Sequence, residues 1–332
     1  MPFSKEEDDM LFKTLTALLL AATLPATAQE AYPSKPVRIL VPYGPGGATD
    51  IIARIVGQRL TESLGQTFLV ENRPGANGNI ALEAAAKAAP DGYTLFVGNV
   101  STNAINENTY AHQLKIKPSR DLVGIAKLVD IPHLVVANAN FPASSIAELI
   151  AMAKKEPGKI NYSSVGMGSY PHLDMERLMK AAGIDLTHVP YKGGAGQAIP
   201  AMISGEVQVG FLNLASLLPH IRSGRLKALA AVPAQRVPEL PNVPTLAEQG
   251  FPGIGTNAWQ GMFAPAATPK PVVDRLYSAV AAVLTRPDIK EGLAKQMMNV
   301  ELSRSPQEFT ELVRRETLAW GDFLREAKIT LE

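Results

Sequence analysis

The sequence predicts an α/β protein of two lobes, each built on a mainly parallel central sheet. The chain has 332 residues, which is too long for one ordinary domain and suits two domains of roughly 100 to 150 residues each. From Val37 onward, short apolar runs alternate with amphipathic stretches, which is the pattern of repeated βαβ units. Glycine-rich turns stand between three of the predicted strands and the helices that follow them, where ligands bind in such sheets.

Hydrophobic patterning predicts the elements of the first lobe. Residues 37–43 have the continuous Val, Ile and Leu character of a buried strand. Apolar residues then recur at helical spacing from Ile51 to Leu60, and Gly65 is a natural end for that helix. The next elements are predicted to be a strand at 67–70, an alanine-rich helix at 80–88 and a strand at 94–97.

A long extended segment is predicted to connect the two lobes. Residues 122–138 are apolar on both sides of Pro132, and this run is too long for one strand of about five or six residues. We therefore expect the segment to serve two sheets. Residues 259–264 are apolar enough to return to the first lobe. The predicted lobes are 31–131 plus 257–332 for the first and 132–256 for the second.

The second lobe is predicted to open with a helix capped at Ser145, because Ser145 and Glu148 have the spacing of a capping box. Another capping box, at Ser305 and Glu308, begins the last helix. The proline-rich segment 233–252 is interpreted as a covering loop. Strands of the second lobe are predicted at 160–163, 186–189, 207–211 and 227–231.

Residues 1–28 have the features of a cleavable secretion signal. A lysine precedes an apolar run at 15–24, and the small residues at 26–28 follow as a cleavage site. Residues 4–9 are mostly acidic, where such a signal needs positive charge, so we expect translation to start at Met10. The chain contains no cysteine and so has no residue for a lipid anchor. We expect the mature protein in the periplasm.

Composition excludes several classes of function. Lysine and arginine total 32 and aspartate and glutamate total 31, for a net charge of +1. No basic run is interleaved with aromatic residues, so we expect no nucleic-acid partner. The lack of cysteine excludes thiol nucleophiles and cysteine-type zinc sites. The histidines, at 112, 133, 172, 188 and 220, lack metal-ligand spacing, and we expect neither a metal nor another cofactor.

Three glycine-rich turns are candidate anion sites. They are Gly44–Asp50, Gly166–Ser169 and Lys192–Gly196. Glycine lets backbone N–H groups point at a ligand, and the helix start behind each turn favours negative charge. A single turn of this kind is more often only a tight connection. Three such turns on two lobes predict a binding site for a small anion in the cleft between them.

Two kinds of enzyme are alternatives for these turns. A strand, the first turn, a helix and a strand ending at Glu71 imitate a dinucleotide-binding fingerprint, but Thr49 stands at the third glycine position and Glu71 comes late. A hydrolase elbow, G-x-S-x-G, is absent, and the nearest motif places Ser169 and His172 three residues apart. That spacing suits a helix cap. Both packing and ligand contact stay open for His172.

Five motifs of the chain resemble those of the tripartite tricarboxylate transporter substrate-binding proteins, also called Bug receptors. The motifs are YPSKPVRILVPYGPGGATD (32–50), VENRPGANGNI (70–80), PDGYTL (90–95), HVPYKG (188–193) and PNVPT (241–245). The resemblance implies a type II periplasmic-binding-protein fold, of the Venus-flytrap kind, without enzymatic activity. It also implies a carboxylate ligand and, as partner, either the membrane subunits of a tripartite tricarboxylate transporter or a sensor kinase.

The resemblance further implies which residues bind the ligand. In the family, backbone N–H groups and hydroxyls of the first turn hold one carboxylate together with the glycine-serine turn of the second lobe. The corresponding positions here are Gly47, Ala48, Thr49 and Asp50 on the first lobe and Ser164, Gly168 and Ser169 on the second. The residues expected to flank the pocket are Tyr43, Ser101, His172, Tyr191 and Asn213.

One departure from the family pattern bears on the ligand. Phe211-Leu212-Asn213 stands where relatives often have an acidic residue, so an amino group on the ligand lacks its counter-charge. We therefore expect a mono- or dicarboxylate, aliphatic or aromatic, bound by a monomeric receptor for transport. The alternatives are a sensory receptor that acts on a membrane kinase, and a nicotinamide-dependent or ester-hydrolysing enzyme.

Overall fold

Two β-sheets organise the chain from Lys35 onward, in an α/β arrangement of two lobes. A computed structural model describes residues 32–256 and 258–327. The predicted signal peptide and the predicted start at Met10 lie outside the described residues.

The first sheet has six strands in the order β11-β4-β10-β3-β1-β2, and we call the lobe built on it lobe 1. β1 pairs in parallel with β2 and β3, whereas β10 pairs antiparallel with β3 and β4. The strands are β1 Val37–Val41, β2 Phe68–Asn72, β3 Thr94–Asn99, β4 Leu122–Ile131, β10 Ala258–Pro265 and β11 Asn299–Val300.

The second sheet has five strands in the order β7-β6-β8-β5-β9, and we call the lobe built on it lobe 2. β6 pairs in parallel with β7 and β8, whereas β5 pairs antiparallel with β8 and β9. The strands are β5 His133–Asn138, β6 Asn161–Ser164, β7 Thr187–Pro190, β8 Val209–Asn213 and β9 Leu226–Ala231.

Helices connect and cover the strands, and two of them begin at side-chain caps that the sequence predicts, whereas the Ser169 hydroxyl does not cap the helix that follows it. The Glu148 N–H donates to Ser145 Oγ, and the Glu308 N–H donates to Ser305 Oγ, both at 3.1 Å. The helices are α1 Ala48–Leu64, α2 Asn79–Ala86, α3 Asn106–Thr109, α4 Pro118–Asp121, α5 Ile146–Lys155, α6 Tyr170–Ala182, α7 Ala195–Ser204, α8 Leu214–Arg222, α9 Lys270–Leu284, α10 Pro287–Ala294 and α11 Pro306–Ala327.

The crossover is confirmed, but both sheets are mixed, and this corrects the expectation of mainly parallel sheets. β4 lies in the first sheet and β5 in the second, on either side of Pro132. β10 returns to the first sheet, where Ala258 pairs with Ile131. These strands pass directly between lobes, without the helical crossover that keeps successive strands parallel. They therefore enter their sheets antiparallel to neighbours.

The core of lobe 1 contains an aromatic cluster between the first sheet and α11. Trp259, Phe263 and Phe309 are all buried, and the Phe309 ring centroid lies 5.0 Å from that of Phe263 and 5.4 Å from that of Trp259. Gly124 and Gly261 leave room for the Phe309 ring, because a Cβ atom at either position would overlap it. The Trp259 Nε1–H donates to Glu316 Oε2 at 2.7 Å.

We expect Phe309→Ala to lower the free energy of unfolding by about 3 to 5 kcal/mol, because it removes a buried ring and leaves a cavity. Leu318→Ala, on the same helix, is the control: Leu318 is 71% exposed and its loss should change stability by less than about 0.5 kcal/mol. Urea denaturation of both variants measures the difference. Equal losses in the two variants would show that Phe309 is not part of the core.

Candidate functional site

The first and third glycine turns meet between the two lobes. The Gly44 N–H, after β1, donates to the Gly193 carbonyl oxygen, after β7, at 3.1 Å. A Cβ atom at Gly196 would lie 2.6 Å from the Pro45 carbonyl oxygen, and one at Gly194 would lie 3.1 Å from the Tyr43 side chain. The backbones approach this closely because these positions carry no side chain.

The first turn of α1 directs its donors towards lobe 2 and towards β10. The Ala48 N–H donates to Ser216 Oγ, in the first turn of α8, at 3.1 Å. The Thr49 hydroxyl donates to Gln260 Oε1 at 2.8 Å, and both side chains are buried. No side chain caps the helix at Gly47. The positive end of the α1 dipole therefore meets the neutral Ser216 hydroxyl and the Asp50 carboxylate of the same first turn.

Asp50 holds the first turn in shape. Its Oδ2 accepts hydrogen bonds from the Gly46 N–H and from Arg54 Nε, each at 3.1 Å, and its Oδ1 accepts one from Asn72 Nδ2 at 2.9 Å. Burial opposes ionisation, but the hydrogen bonds from Arg54, Asn72 and Gly46 outweigh it and hold the pKa of Asp50 below its ordinary value. Asp50 is therefore an ionised carboxylate already paired within lobe 1.

The second turn brings four predicted site residues together. Ser164 Oγ accepts the Gly166 N–H at 3.1 Å, and the Ser169 hydroxyl donates to the Gly166 carbonyl oxygen at 2.6 Å. The Gly168 N–H donates to His172 Nδ1 at 3.0 Å. The turn is thus fixed by its own hydrogen bonds, and both serine hydroxyls are engaged within it.

Lobe 1 contacts the second turn at three places. The Tyr170 N–H, at the start of α6, donates to Ser101 Oγ at 3.0 Å. The Tyr110 hydroxyl donates to the Met167 carbonyl oxygen at 2.7 Å. A Cβ atom at Gly166 would lie 3.0 Å from Asn77 Oδ1. The starts of α1 and α6 thus each place an amide against a serine hydroxyl of the opposite lobe.

Two buried phenols lie near the second turn, that of Tyr43 next to Ser101 and that of Tyr170 next to Asn213. Burial raises the pKa of Tyr43, while the Asn99 and Ser101 side chains act in the opposite direction, and its hydroxyl makes no well-formed hydrogen bond with a described residue. Burial likewise raises the pKa of Tyr170, against a hydrogen bond with the Asn213 side chain. Both phenols stay protonated at neutral pH and can donate hydrogen bonds.

Two of the predicted flanking residues are engaged elsewhere. The Tyr191 hydroxyl donates to Glu206 Oε1 at 2.8 Å, and burial together with this carboxylate raises the pKa of Tyr191 to about 12. The Asn213 Oδ1 caps α8 by accepting the Ser216 N–H at 2.9 Å. Asn213 therefore orients the helix start that carries Ser216, besides its contact with Tyr170.

The structure adds residues that the sequence interpretation missed. Ser216 and Gln260 contact the first turn, and Tyr170, Asn77 and His188 contact or support the second. The sequence does indicate Gln260 as a candidate, because it is a polar residue inside the apolar run of β10. The sequence also indicates Ser216, since it follows Asn213 at the spacing of a helix cap. The remaining three are placed by tertiary contacts alone.

A buried carboxylate lies behind Tyr170, next to the segment that returns to lobe 1. Asp174 is completely buried, and it accepts hydrogen bonds from the Thr256 N–H at 2.9 Å and the Thr256 hydroxyl at 2.8 Å. Burial raises the pKa of Asp174 to about 7. His133 Nδ1 lies 3.0 Å from the Thr256 carbonyl oxygen, and burial lowers the pKa of His133 to about 3. Two side chains of lobe 2 thus hold Thr256.

Neither a metal site nor a membrane span is found in the part of the chain that the structure describes. Over residues 32–256 and 258–327, no three His, Asp or Glu side chains are grouped to hold a metal ion. In the same residues, every helix is too short or too polar to cross a bilayer.

Two lobes with amide-rich turns that face each other define a class, the two-lobe solute-binding receptors. A family model, described as Tripartite tricarboxylate transporter family receptor, matches residues 52–329. The chain belongs to this family of periplasmic receptors, and the predicted resemblance is confirmed. Members and structural neighbours of this family are binding proteins rather than enzymes.

Solved structures of similar proteins confirm the fold. A structure described as that of a periplasmic transporter is 37% identical, with a TM-score of 0.87, over 91% of this chain and 100% of that chain. MatC from Rhodopseudomonas palustris with bound malate is 32% identical, with a TM-score of 0.83, over 88% of this chain and 99% of that chain. Rpa4515 from R. palustris with adipate is 32% identical, with a TM-score of 0.85, over 90% and 99%.

We expect the Asp174→Asn variant to change how stability depends on pH. Because its folded-state pKa is raised, Asp174 keeps its proton in the native protein between about pH 4 and 7, where the unfolded chain loses it. Its contribution to the free energy of unfolding therefore falls as pH rises through that window. The variant lacks this loss, so the stability of the wild type relative to Asp174→Asn should decrease between pH 5 and pH 8.

Urea denaturation at both pH values measures this difference, and contributions from the buried histidines cancel because both proteins contain them. Asp185→Asn is the control, since Asp185 is exposed in the same lobe. A pH-independent difference between the wild type and Asp174→Asn would mean that Asp174 is ionised throughout.

Proposed function

We propose that this chain holds a small carboxylate between its two lobes and delivers it to the membrane subunits of a tripartite tricarboxylate transporter. One observation carries the proposal: Ala48 and Tyr170, at the starts of α1 and α6, each donate a backbone N–H to a serine hydroxyl of the opposite lobe. Amide donors of both lobes thus point into the space between them. The neighbouring structures with malate and adipate support this ligand class.

In the proposed complex, a carboxylate of the ligand takes the places of the two serine hydroxyls. The Ala48 and Tyr170 amides then donate to an anion instead of to Ser216 and Ser101. A hydrogen bond to a charged acceptor is about twice as strong as one to a neutral acceptor. The exchange therefore favours the ligand over the two hydroxyls.

The remaining predicted residues divide into donors and supports. Gly47 and Thr49 lie beside Ala48 at the uncapped start of α1, so we assign their amides to the same carboxylate. The Gly168 amide is already bonded to His172, and the Ser169 amide to the Gly166 carbonyl oxygen. We propose that these two residues stabilise the second turn and do not donate hydrogen bonds to the ligand.

The end of the ligand remote from this carboxylate is proposed to contact neutral groups. The Tyr43 phenol and the Asn99 amide lie next to Ser101, and the Tyr170 phenol lies next to the Asn213 amide. These groups can donate to a second carboxylate, a hydroxyl or a carbonyl oxygen, and the phenol rings suit an aromatic ligand. None of the five carries a negative charge at neutral pH. The site thus favours a mono- or dicarboxylate over an amino acid.

A serine-histidine contact raises the question of hydrolysis. Ser164 Oγ and His188 Nε2 lie 2.7 Å apart, which is the geometry of an activated nucleophile. However, Ser164 is completely buried, and its hydroxyl also accepts the Gly166 N–H. His188 packs face to face on another imidazole, with a centroid distance of 4.0 Å to His172. We therefore assign the pair a structural role and propose no enzymatic activity.

We further propose that the lobes divide at 31–131 plus 257–332 and 132–256. The connecting segments at Pro132 and after Thr256 then serve as the hinge for closure around the ligand. Removal of residues 1–28 on export places a monomeric receptor in the periplasm. Cross-linking of the liganded receptor in intact cells distinguishes a transporter subunit from a sensor kinase as its membrane partner.

We expect carboxylates to raise the melting temperature of the purified protein. A panel of malate, adipate, succinate and benzoate, with the corresponding amides as controls, covers aliphatic and aromatic acids. A ligand at 100 times its Kd stabilises the folded state by about 2.7 kcal/mol, which is readily seen in a thermal-shift assay. Absence of any shift across the acids, or equal shifts with the amides, would count against carboxylate binding.

We expect Thr49→Ala to weaken binding of whichever acid gives the largest shift. The loss should be roughly 1 to 3 kcal/mol, since the hydroxyl orders Gln260 beside the amide donors and can itself donate to a charged group. Ser63→Ala, at the other end of α1 and exposed, is the control and should bind like the wild type. Isothermal titration calorimetry gives both Kd values, and an unchanged Kd in Thr49→Ala would remove this residue from the site.

A further inference from the structure

Two imidazoles pack face to face behind the second turn. The ring centroids of His172, from α6, and His188, from β7, are 4.0 Å apart, with 17° between the ring planes. Tyr162, from β6, stacks on His188 with a centroid distance of 4.8 Å. The rings therefore belong to three separate elements of lobe 2, which fix their mutual position.

Each imidazole holds a different part of the turn. His172 Nδ1 accepts the Gly168 N–H, so this nitrogen carries no proton. His188 Nε2 contacts Ser164 Oγ, which in turn lies 3.1 Å from the Gly166 nitrogen and 3.0 Å from the Gly166 carbonyl oxygen. If Ser164 donates to that carbonyl and accepts from His188 and Gly166, every hydrogen-bonding position of the hydroxyl is used.

We propose that His172 and His188 act together as positioning residues for the ligand, an inference that rests on the proposed function. As a neutral stacked pair, they fix the Gly168 amide and the Ser164 hydroxyl, and so set the shape of the turn before Tyr170. Neither imidazole supplies positive charge to the carboxylate. Both act through the turn, so the pair determines the orientation of the Tyr170 N–H towards the carboxylate.

Electrostatics supports a neutral pair. Burial lowers the pKa of His172 to about 3, helped by His188, and burial lowers the pKa of His188 to about 4. The other titratable groups that face the pair are Glu176, whose Oε1 lies 3.6 Å from His172 Nε2, and Tyr162, whose hydroxyl donates to Glu176 at 2.8 Å. A proton on His172 Nδ1 would make this nitrogen a donor, so it could no longer accept the Gly168 N–H.

The positioning role and a charge role predict opposite pH profiles. If a histidine cation bound the carboxylate, affinity would rise as pH falls from 8 to 5. For a neutral pair, the ratio of the wild-type affinity to that of His172→Asn should stay constant over that range, because titration of Asp174 and of the acids themselves affects both proteins alike. Two-dimensional NMR of ¹⁵N-imidazole-labelled protein, without any acid added, should show both rings neutral from pH 8 to 5, with the His172 proton on Nε2. Titration of either ring above pH 6 would overturn the proposal.

Matched substitutions separate the hydrogen bonds from simple packing. His172→Asn keeps an acceptor near the Nδ1 position and His188→Gln keeps a polar group near the Nε2 position, whereas Leu at either site keeps only bulk. We expect each Leu variant to weaken malate and adipate binding at least roughly tenfold, the equivalent of one lost hydrogen bond of about 1.4 kcal/mol. The Asn and Gln variants should stay within roughly threefold of the wild type, as should the control His112→Gln at an exposed position.

A second measurement needs neither a ligand nor the Leu variants. Amide hydrogen exchange at Gly168 should be slow in the wild type and in His172→Asn, because the N–H keeps its acceptor. If neither acid binds the wild type while the rings are neutral and Gly168 is protected, the proposed ligand class fails and the positioning of the turn stands. Fast exchange at Gly168 in the wild type, or Asn and Gln variants that bind as weakly as the Leu variants, would overturn the positioning role.

Discussion

The rest of the structure depends on the close approach of backbone to backbone where the lobes meet. The Gly44 amide reaches the Gly193 carbonyl oxygen, and the Pro45 carbonyl oxygen leaves no room for a Cβ atom at Gly196. With side chains at these positions the lobes would stand further apart. The start of α1 would then lose its contact with Ser216. The glycines therefore do more than shape turns, because they set the distance between the helix starts whose amides we assign to the ligand.

A continuous set of contacts connects this meeting point with the segment between the lobes. Ser101 accepts the Tyr170 amide, the Tyr170 ring lies 4.4 Å from that of His133, and His133 contacts the Thr256 carbonyl oxygen. Asp174 binds Thr256 from the other side. The residues assigned to the proposed site are thus in direct contact with those that hold Thr256, just before β10. The segments proposed as the hinge, at Pro132 and after Thr256, therefore lie next to residues that contact the proposed site.

The sequence predicts the local parts of this architecture well, because local physics decides them. The caps at Ser145 and Ser305, the break at Pro132 and the return of β10 all follow from patterns within a few residues. The antiparallel course of β10 does not, since strand direction depends on which sheet a distant segment joins. The same limit applies to the site. The glycine turns are visible as motifs, whereas Asn77 and His188 contact them only through tertiary packing.

The polarity of the site follows from the cost of burying charge. An isolated buried ion is expensive unless it is paired, and the carboxylate nearest the first turn, Asp50, is paired with Arg54 and Asn72 within lobe 1. The groups assigned to the proposed site are neutral: amides, serine hydroxyls and phenols, with two imidazoles behind the second turn whose pKa burial lowers. Fixed dipoles of this kind hold an anion without a buried cation, which would be left unpaired each time the ligand leaves. In the proposed receptor, the site without its ligand therefore contains no uncompensated charge.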